Sequence, residues 1–211
     1  MNTIKIAVLG GTGKSGKYLV QELMNRNIPI KLLLRNTSHF ETENPLVEIV
    51  RGDVRDYNSI YSLFEGCDAV ISTLSQPIGE ESIFGDAARN VIQAMEARGI
   101  KRYIVTAGLN VDAIGDEKNE KVRFATDWMY QNYPKTTIDR QVEYELLANS
   151  RIDWTMVRLP MIIQTDERFP VEISLIDCPG ENISATDLAV FLVDQLSNEE
   201  YVQKSPFVAN S

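Results

Sequence analysis

Apolar residues in this chain fall into short, nearly continuous runs separated by longer amphipathic stretches. Strand-like runs occupy residues 4–9, 30–34, 47–50, 69–74, 103–106 and 154–159. Runs that short without polar alternation suit strands covered on both faces, as in a parallel sheet. Helical patterns lie between most of them, at 15–26, 58–64, 83–98, 121–130 and 140–149, and the first three alternate with strands as crossover helices do. Ser184 or Thr186 caps a further helix running toward Ser197, and a short strand at 207–209 closes the chain. The pattern predicts an α/β fold, a doubly wound parallel sheet in a three-layer αβα arrangement. Residues 110–120 are polar and acidic with a glycine, and read as a loop near the substrate side.

The first strand runs straight into Gly10, Gly11, Thr12, Gly13, Lys14, Ser15 and Gly16, followed by a helix. Gly10 permits a tight turn, Gly13 lets the backbone approach a pyrophosphate, and Gly16 lets the helix pack on the strand. Amides at the helix start face the anion, aided by the helix dipole. Glycine-rich turns also join strands to helices for structural reasons alone, but the first strand-to-helix junction is where a doubly wound fold holds its dinucleotide. A P-loop is not formed: Gly10 is followed five residues on by Ser15, and Gly11 by Gly16, Lys17 and Tyr18. Tyr18 stands where a magnesium-binding aliphatic hydroxyl is needed.

The second strand ends Leu34, Arg35, Asn36, where an NAD-binding protein usually carries an acid for the ribose hydroxyls. Arg35 cannot accept a hydrogen bond, and its planar fork suits a 2′-phosphate, so the expected cofactor is NADP(H). His39, the single histidine, follows in the same loop and would flank adenine or phosphate if it contacts the cofactor. After the third strand, Asp53 can meet the adenine amino group while Val54 covers the ring; a turn followed by a helix cap is the structural alternative. The fourth strand ends Ser72, Thr73, Leu74, Ser75, with its carboxyl end expected beside the first strand at the ligand crevice.

With 211 residues the chain holds one sizeable core and forms one domain over its length. A net charge of −9 argues against nucleic acid or an anionic membrane as the main partner. No metal-ligand spacing occurs, and Cys67 and Cys178 read as reduced structural thiols. Without a signal-peptide pattern or a membrane-length apolar run, the expectation is a cytoplasmic protein, a monomer or small homo-oligomer, acting on a small molecule.

The motifs G-G-T-G-K-S-G, L-L-L-R-N, R-G-D-V-R-D, C-D-A-V-I-S-T-L, R-Y-I-V-T-A-G and D-W-T-M-V-R-L-P together resemble the atypical short-chain dehydrogenase/reductase superfamily, with a Rossmann-type fold. Within it the chain is most similar to the NmrA-like and flavin reductase/biliverdin-IXβ reductase-like NAD(P)H-binding proteins. The resemblance implies that Gly10, Thr12, Gly13, Lys14 and Ser15 surround the pyrophosphate and that Arg35 meets the 2′-phosphate. It places Asp53 and Val54 at adenine, and Thr73, Leu74 and Ser75 along the ribose and nicotinamide side. Thr106, Ala107, Gly108, Leu159 and Pro160 would border the nicotinamide.

The chain departs from the superfamily at its proton-transfer pair. None of the eight tyrosines is followed four residues later by lysine. Arg140 stands where related proteins carry the lysine, and Thr136 falls at the tyrosine position. Arginine stays protonated and is a poor tunable acid. Two functions remain open at this point. One is an NADPH-dependent reductase of a conjugated acceptor such as a flavin, a quinone or a linear tetrapyrrole, with Thr106 and Ser75 as catalytic hydrogen-bond donors and Tyr130 or Tyr133 shaping the pocket. The other is a redox-sensing, non-catalytic dinucleotide binder of NmrA-like type.

Overall fold

The computed structural model describes residues 4–37 and 42–211, so His39 lies outside the described residues. Strands β1 (Ile6–Leu9), β2 (Ile30–Leu34) and β3 (Val47–Arg51) are joined through helix α1 (Gly16–Asn25) and a loop. Helix α2 (Tyr57–Leu63), β4 (Ala69–Ser72), α3 (Phe84–Arg98) and β5 (Arg102–Gly108) follow. Then come α4 (Glu120–Asn132), α5 (Pro134–Ala148), β6 (Asp153–Leu159), β7 (Met161–Ile163), β8 (Val171–Ser174), β9 (Asn182–Ser184), α6 (Ala185–Asp194) and β10 (Phe207–Asn210).

Among the described residues the main sheet has the order β3-β2-β1-β4-β5-β6-β10-β8, and its pairings are parallel except that of β8 on β10. The order reverses between β1 and β4, and the diverging loops leave a crevice at their carboxyl ends. Every residue of β1, β2, β4 and β10 is buried, on both faces of the sheet, which is why the apolar runs lack polar alternation. Ile6 and Val8 of β1 pack with Leu19 and Leu23 of α1 and with Leu188 and Leu192 of α6. Ala7 and Leu9 face the opposite layer, with Ile60 of α2, Val91 of α3 and Leu147 of α5. The result is a Rossmann-type, three-layer αβα domain.

Several boundaries differ from the sequence expectation. Ile4 is exposed and β1 starts at Ile6, while the fourth strand ends at Ser72 rather than at residue 74. Thr73 still donates its amide to the Leu9 carbonyl at 2.9 Å before the chain turns into the crevice. The helix expected from residue 140 begins at Pro134, whose fixed φ suits the first helical turn. Of the two proposed caps of α6, Ser184 is the one used: its Oγ accepts from the Asp187 amide at 3.4 Å, whereas the Thr186 hydroxyl donates to the Thr165 carbonyl.

Strands β7, β8 and β9 were not legible, because three- and four-residue strands carry too little periodicity to stand out from loops. The acidic loop before α4 is anchored from beneath. Arg158, fully buried on β6, meets both carboxylate oxygens of Asp116 at 2.5 and 2.8 Å and lies 3.6 Å over the Phe207 ring.

Candidate functional site

The glycine-rich turn is shaped by contacts that a side chain would destroy. Gly10 has φ +76, and a Cβ there would stand 2.8 Å from the backbone of Thr73 and Leu74, so β1 and β4 leave the sheet in contact. A Cβ at Gly16 would collide with the Gly10 carbonyl oxygen, which holds α1 directly against the turn. Ser15, the α1 N-cap residue, makes no side-chain capping bond, leaving the helix start without a side chain folded over it. Thr73 braces the turn from the other side, its hydroxyl donating to the Gly10 carbonyl at 3.2 Å. Such a cradle fits the pyrophosphate of a dinucleotide.

Two cavities flank the cradle and share Leu74 and Ser75. The first, of about 310 Å³, is bounded by Gly10, Thr12 and Gly13 on one side and by Arg35, Asp53, Val54 and Arg55 on the other. Its size and charge suit an adenosine half with phosphate. The second, of about 270 Å³, is walled by Ser15, Thr73, Thr106, Ala107, Gly108, Leu159 and Pro160. The seven-residue register of β5 on β6, from Arg102–Asp153 to Gly108–Leu159, sets those last strand ends side by side. Lys14 is exposed and Gly16 buried, and neither is part of either wall.

Three side chains depart from the simplest sequence reading. Asp53 lines the first cavity, but both its oxygens are taken by the Arg55 side chain, at 3.1 and 2.8 Å, and by the Arg55 amide at 2.9 Å. The Arg55 hydrogen bonds hold the Asp53 carboxyl below its usual range. Arg35 does border the expected phosphate position, yet its guanidinium is met by Glu80 at 2.8 and 3.0 Å. Thr106 borders the second cavity, with its hydroxyl oxygen 3.4 Å from the Ser72 carbonyl, to which it donates.

Arg140 is buried between the strand ends. Its Nη1 donates to the Thr106 carbonyl at 3.0 Å and to Glu143 at 2.6 Å, and its Nη2 to the Leu74 carbonyl at 2.7 Å. The guanidinium also lies 3.3 Å over the Phe84 ring. Arg140 therefore staples the segment leaving β4 to β5 at the cavity wall. Thr136, at the tyrosine position of the resemblance, lines the second cavity as well.

Beyond the second cavity lies an open groove of about 850 Å³ between residues 76–82 and the corner joining α4 to α5. Gln76, Met129 and Thr136 belong to both, so the groove continues the cavity outward. Tyr133 lines it, together with Pro77, Ile78 and Pro134, whereas Tyr130 is not among its lining residues. Sequence reasoning missed Arg55, Glu80, Met129 and this groove. Arg55 carried a signal, its place beside Asp53; Glu80 carried none, since it sits 45 positions from Arg35 in a segment with no motif.

A family model described as NAD(P)H-binding matches residues 10–199. Among curated proteins the chain is 23% identical to phenylcoumaran benzylic ether reductase TP7 of Nicotiana tabacum, over 97% of this chain and 68% of that protein. Among solved structures it resembles ChuY, an anaerobillin reductase from Escherichia coli O157:H7, with a TM-score of 0.81 and 16% identity over 98% of this chain and 97% of that one. A short-chain dehydrogenase/reductase from Veillonella parvula in complex with NADP gives a TM-score of 0.80 and 17% identity, over 98% of this chain and 94% of that one.

Proposed function

The chain belongs to the NAD(P)H-binding family, and we propose that it is an NADPH-dependent oxidoreductase that passes hydride to a conjugated acceptor such as a flavin, a quinone or a linear tetrapyrrole. The carrying observation is that the arginine-lined cavity adjoins a second cavity at Leu74 and Ser75, and that the second shares Gln76, Met129 and Thr136 with an open groove where Pro77, Ile78, Tyr133 and Pro134 stand among polar side chains. The arginines suit the phosphate end of NADP(H), and the groove offers Tyr133 and apolar side chains to the flat body of an acceptor and Glu80, Glu81 and Lys135 to its polar substituents. All three of the similar proteins carry reductase in their names, which supports the class of reaction but not the acceptor.

A bound reduced nicotinamide supplies the hydride. The chain's own residues position the partners: the glycine cradle fixes the pyrophosphate, while Ala107, Leu159 and Pro160 limit where the ring can lie. Ser75, exposed at the junction of the cavities, and Thr106 are the proposed hydrogen-bond donors there, and the Thr136 hydroxyl lines the same cavity. Thr106 is turned toward a backbone carbonyl and Arg140 is engaged in the wall, so neither presents a free proton donor there. An acceptor that delocalises added electron density and draws its proton from solvent matches this site.

Purified protein mixed with NADPH and a panel of flavins, quinones and biliverdins tests the reading. It predicts an acceptor-dependent loss of NADPH absorbance with at least one class. Unchanged absorbance at saturating protein with every acceptor rejects turnover. The engaged state of Thr106 and Arg140 favours a second reading, a non-catalytic redox sensor, and cofactor-dependent capture of a protein partner together with absent turnover would support it.

A further inference from the structure

NAD-binding relatives of this fold place an acid at the end of the second strand, and this chain places Arg35 there. The structure brings an acid to that arginine from elsewhere. Glu80, in the segment between β4 and α3, has Oε1 at 2.8 Å and Oε2 at 3.0 Å from Arg35 Nη1. Its Oε2 also stands 3.1 Å from Arg55 Nη2. Arg55 is in turn gripped by Asp53, so two carboxylates and two guanidiniums form one connected network; Arg35, Asp53 and Arg55 line the first cavity, while Glu80 reaches them from the wall of the outer groove.

The segment that carries Glu80 is held in shape. The Gln76 side-chain amide donates to the carbonyls of Pro77, Glu80 and Glu81 at 3.1, 2.9 and 3.1 Å. Gly79 turns the chain at φ +76, and Ser82 is tied to Asp139 at 2.5 Å. Glu80 is thus aimed at the arginines by its backbone rather than by a free surface encounter. Hydrogen bonding to Arg35 also keeps its carboxyl below the usual carboxylate range.

We propose that Glu80 is the cofactor-selecting residue of this site. It must give up Arg35 before the 2′-phosphate of NADP(H) can take its place, whereas NAD(H), which carries no such phosphate, leaves the pair intact. A phosphate and a carboxylate compete for the same fork of N–H donors. Selection between the two dinucleotides is then the difference between an internal anion and an incoming one, so Arg35 alone does not decide it. The inference rests on the reading of Arg35 as the phosphate-facing residue.

The test measures Kd for NADPH and for NADH in the full chain and in the Glu80→Gln, Arg35→Ala and doubly substituted variants, with thermal unfolding as the control for fold. Glu80 lies on an exposed segment, so Glu80→Gln keeps the unfolding temperature of the parent. The expected result is a rise of about fivefold in the Kd(NADH)/Kd(NADPH) ratio for Glu80→Gln. Arg35→Ala lowers that ratio by about tenfold or more, and in the Arg35→Ala background Glu80→Gln changes it much less. A lowered ratio for Arg35→Ala with an unchanged ratio for Glu80→Gln overturns the role of Glu80 alone. Equal effects of Glu80→Gln in both backgrounds also overturn it, because the carboxylate would then act without Arg35. An unchanged ratio for Arg35→Ala overturns the phosphate reading and this inference with it.

Discussion

At the scale of single residues, Arg140 shows how a position can be legible while its work is not. The motif places it where a lysine would tune a tyrosine, but its side chain is 11% exposed and its donors are spent on two carbonyls and Glu143. Burial pushes the Glu143 carboxyl upward, and the Arg140 charge opposes that shift. Removing one partner leaves a buried charge and unpaired carbonyls, which costs more than the pair contributes. Arg140→Met therefore loses about 3–5 kcal/mol of stability in urea unfolding. The Arg140→Met, Glu143→Leu double variant recovers a good part of that loss; a double variant as unstable as the single one shows that the pair is not the cause. The sequence identified an arginine with no tunable proton, and that chemistry follows from residue type alone. It could not tell that the arginine joins the segment leaving β4 to β5.

Among elements, α3 depends on another helix for its start. Its own N-cap residue, Ile83, has no capping side chain, and Asp139 of α5 accepts from the Phe84 amide at 2.8 Å instead. A Cβ at Gly85 would stand 2.5 Å from that carboxylate, so the close approach needs glycine. Asp139→Ala should cost about 1–2 kcal/mol, as losing a cap does, read from the midpoint of chemical unfolding. A change near zero would show that water replaces the carboxylate. Strands and helices of the nucleotide-binding half could be read from the chain because each shows its own periodicity and its own punctuation. The beginning of α5 could not be read from its apolar pattern, although Pro134 at its first turn was a usable signal. The cap on α3 had no local signal, since its donor and acceptor are 55 positions apart.

For the molecule as a whole, the layers on either side of the sheet decide the chemistry of the buried thiols. Cys67 packs in the layer formed by α2 and α3, and burial raises its thiol to about 11. A group whose folded pKa lies above its unfolded value contributes stability that is present below the unfolded pKa, near 8.5, and lost as pH rises through the folded one. Between about pH 8.5 and 11 the parent should therefore lose about 2–3 kcal/mol more than Cys67→Ala does, measured by urea unfolding at stepped pH. Parallel pH profiles for the two proteins would show that Cys67 ionises alike in both states. The doubly wound sheet and the place of the fourth strand beside the first were legible because unbroken apolar runs, crossover helices and a glycine turn leave few ways to wind the chain, whereas the antiparallel edge strand β8 was not. By itself the sequence determined the αβα architecture, the glycine-rich turn after β1 and the missing Tyr-x-x-x-Lys pair, all properties of local pattern or residue type. Only the tertiary structure decided that Glu80 holds Arg35, that Asp53 turns to Arg55, and that Arg158 pins the acidic loop. A charged side chain has many possible partners along a sequence of 211 residues, and folding selects among them by distance and burial, which no local pattern encodes.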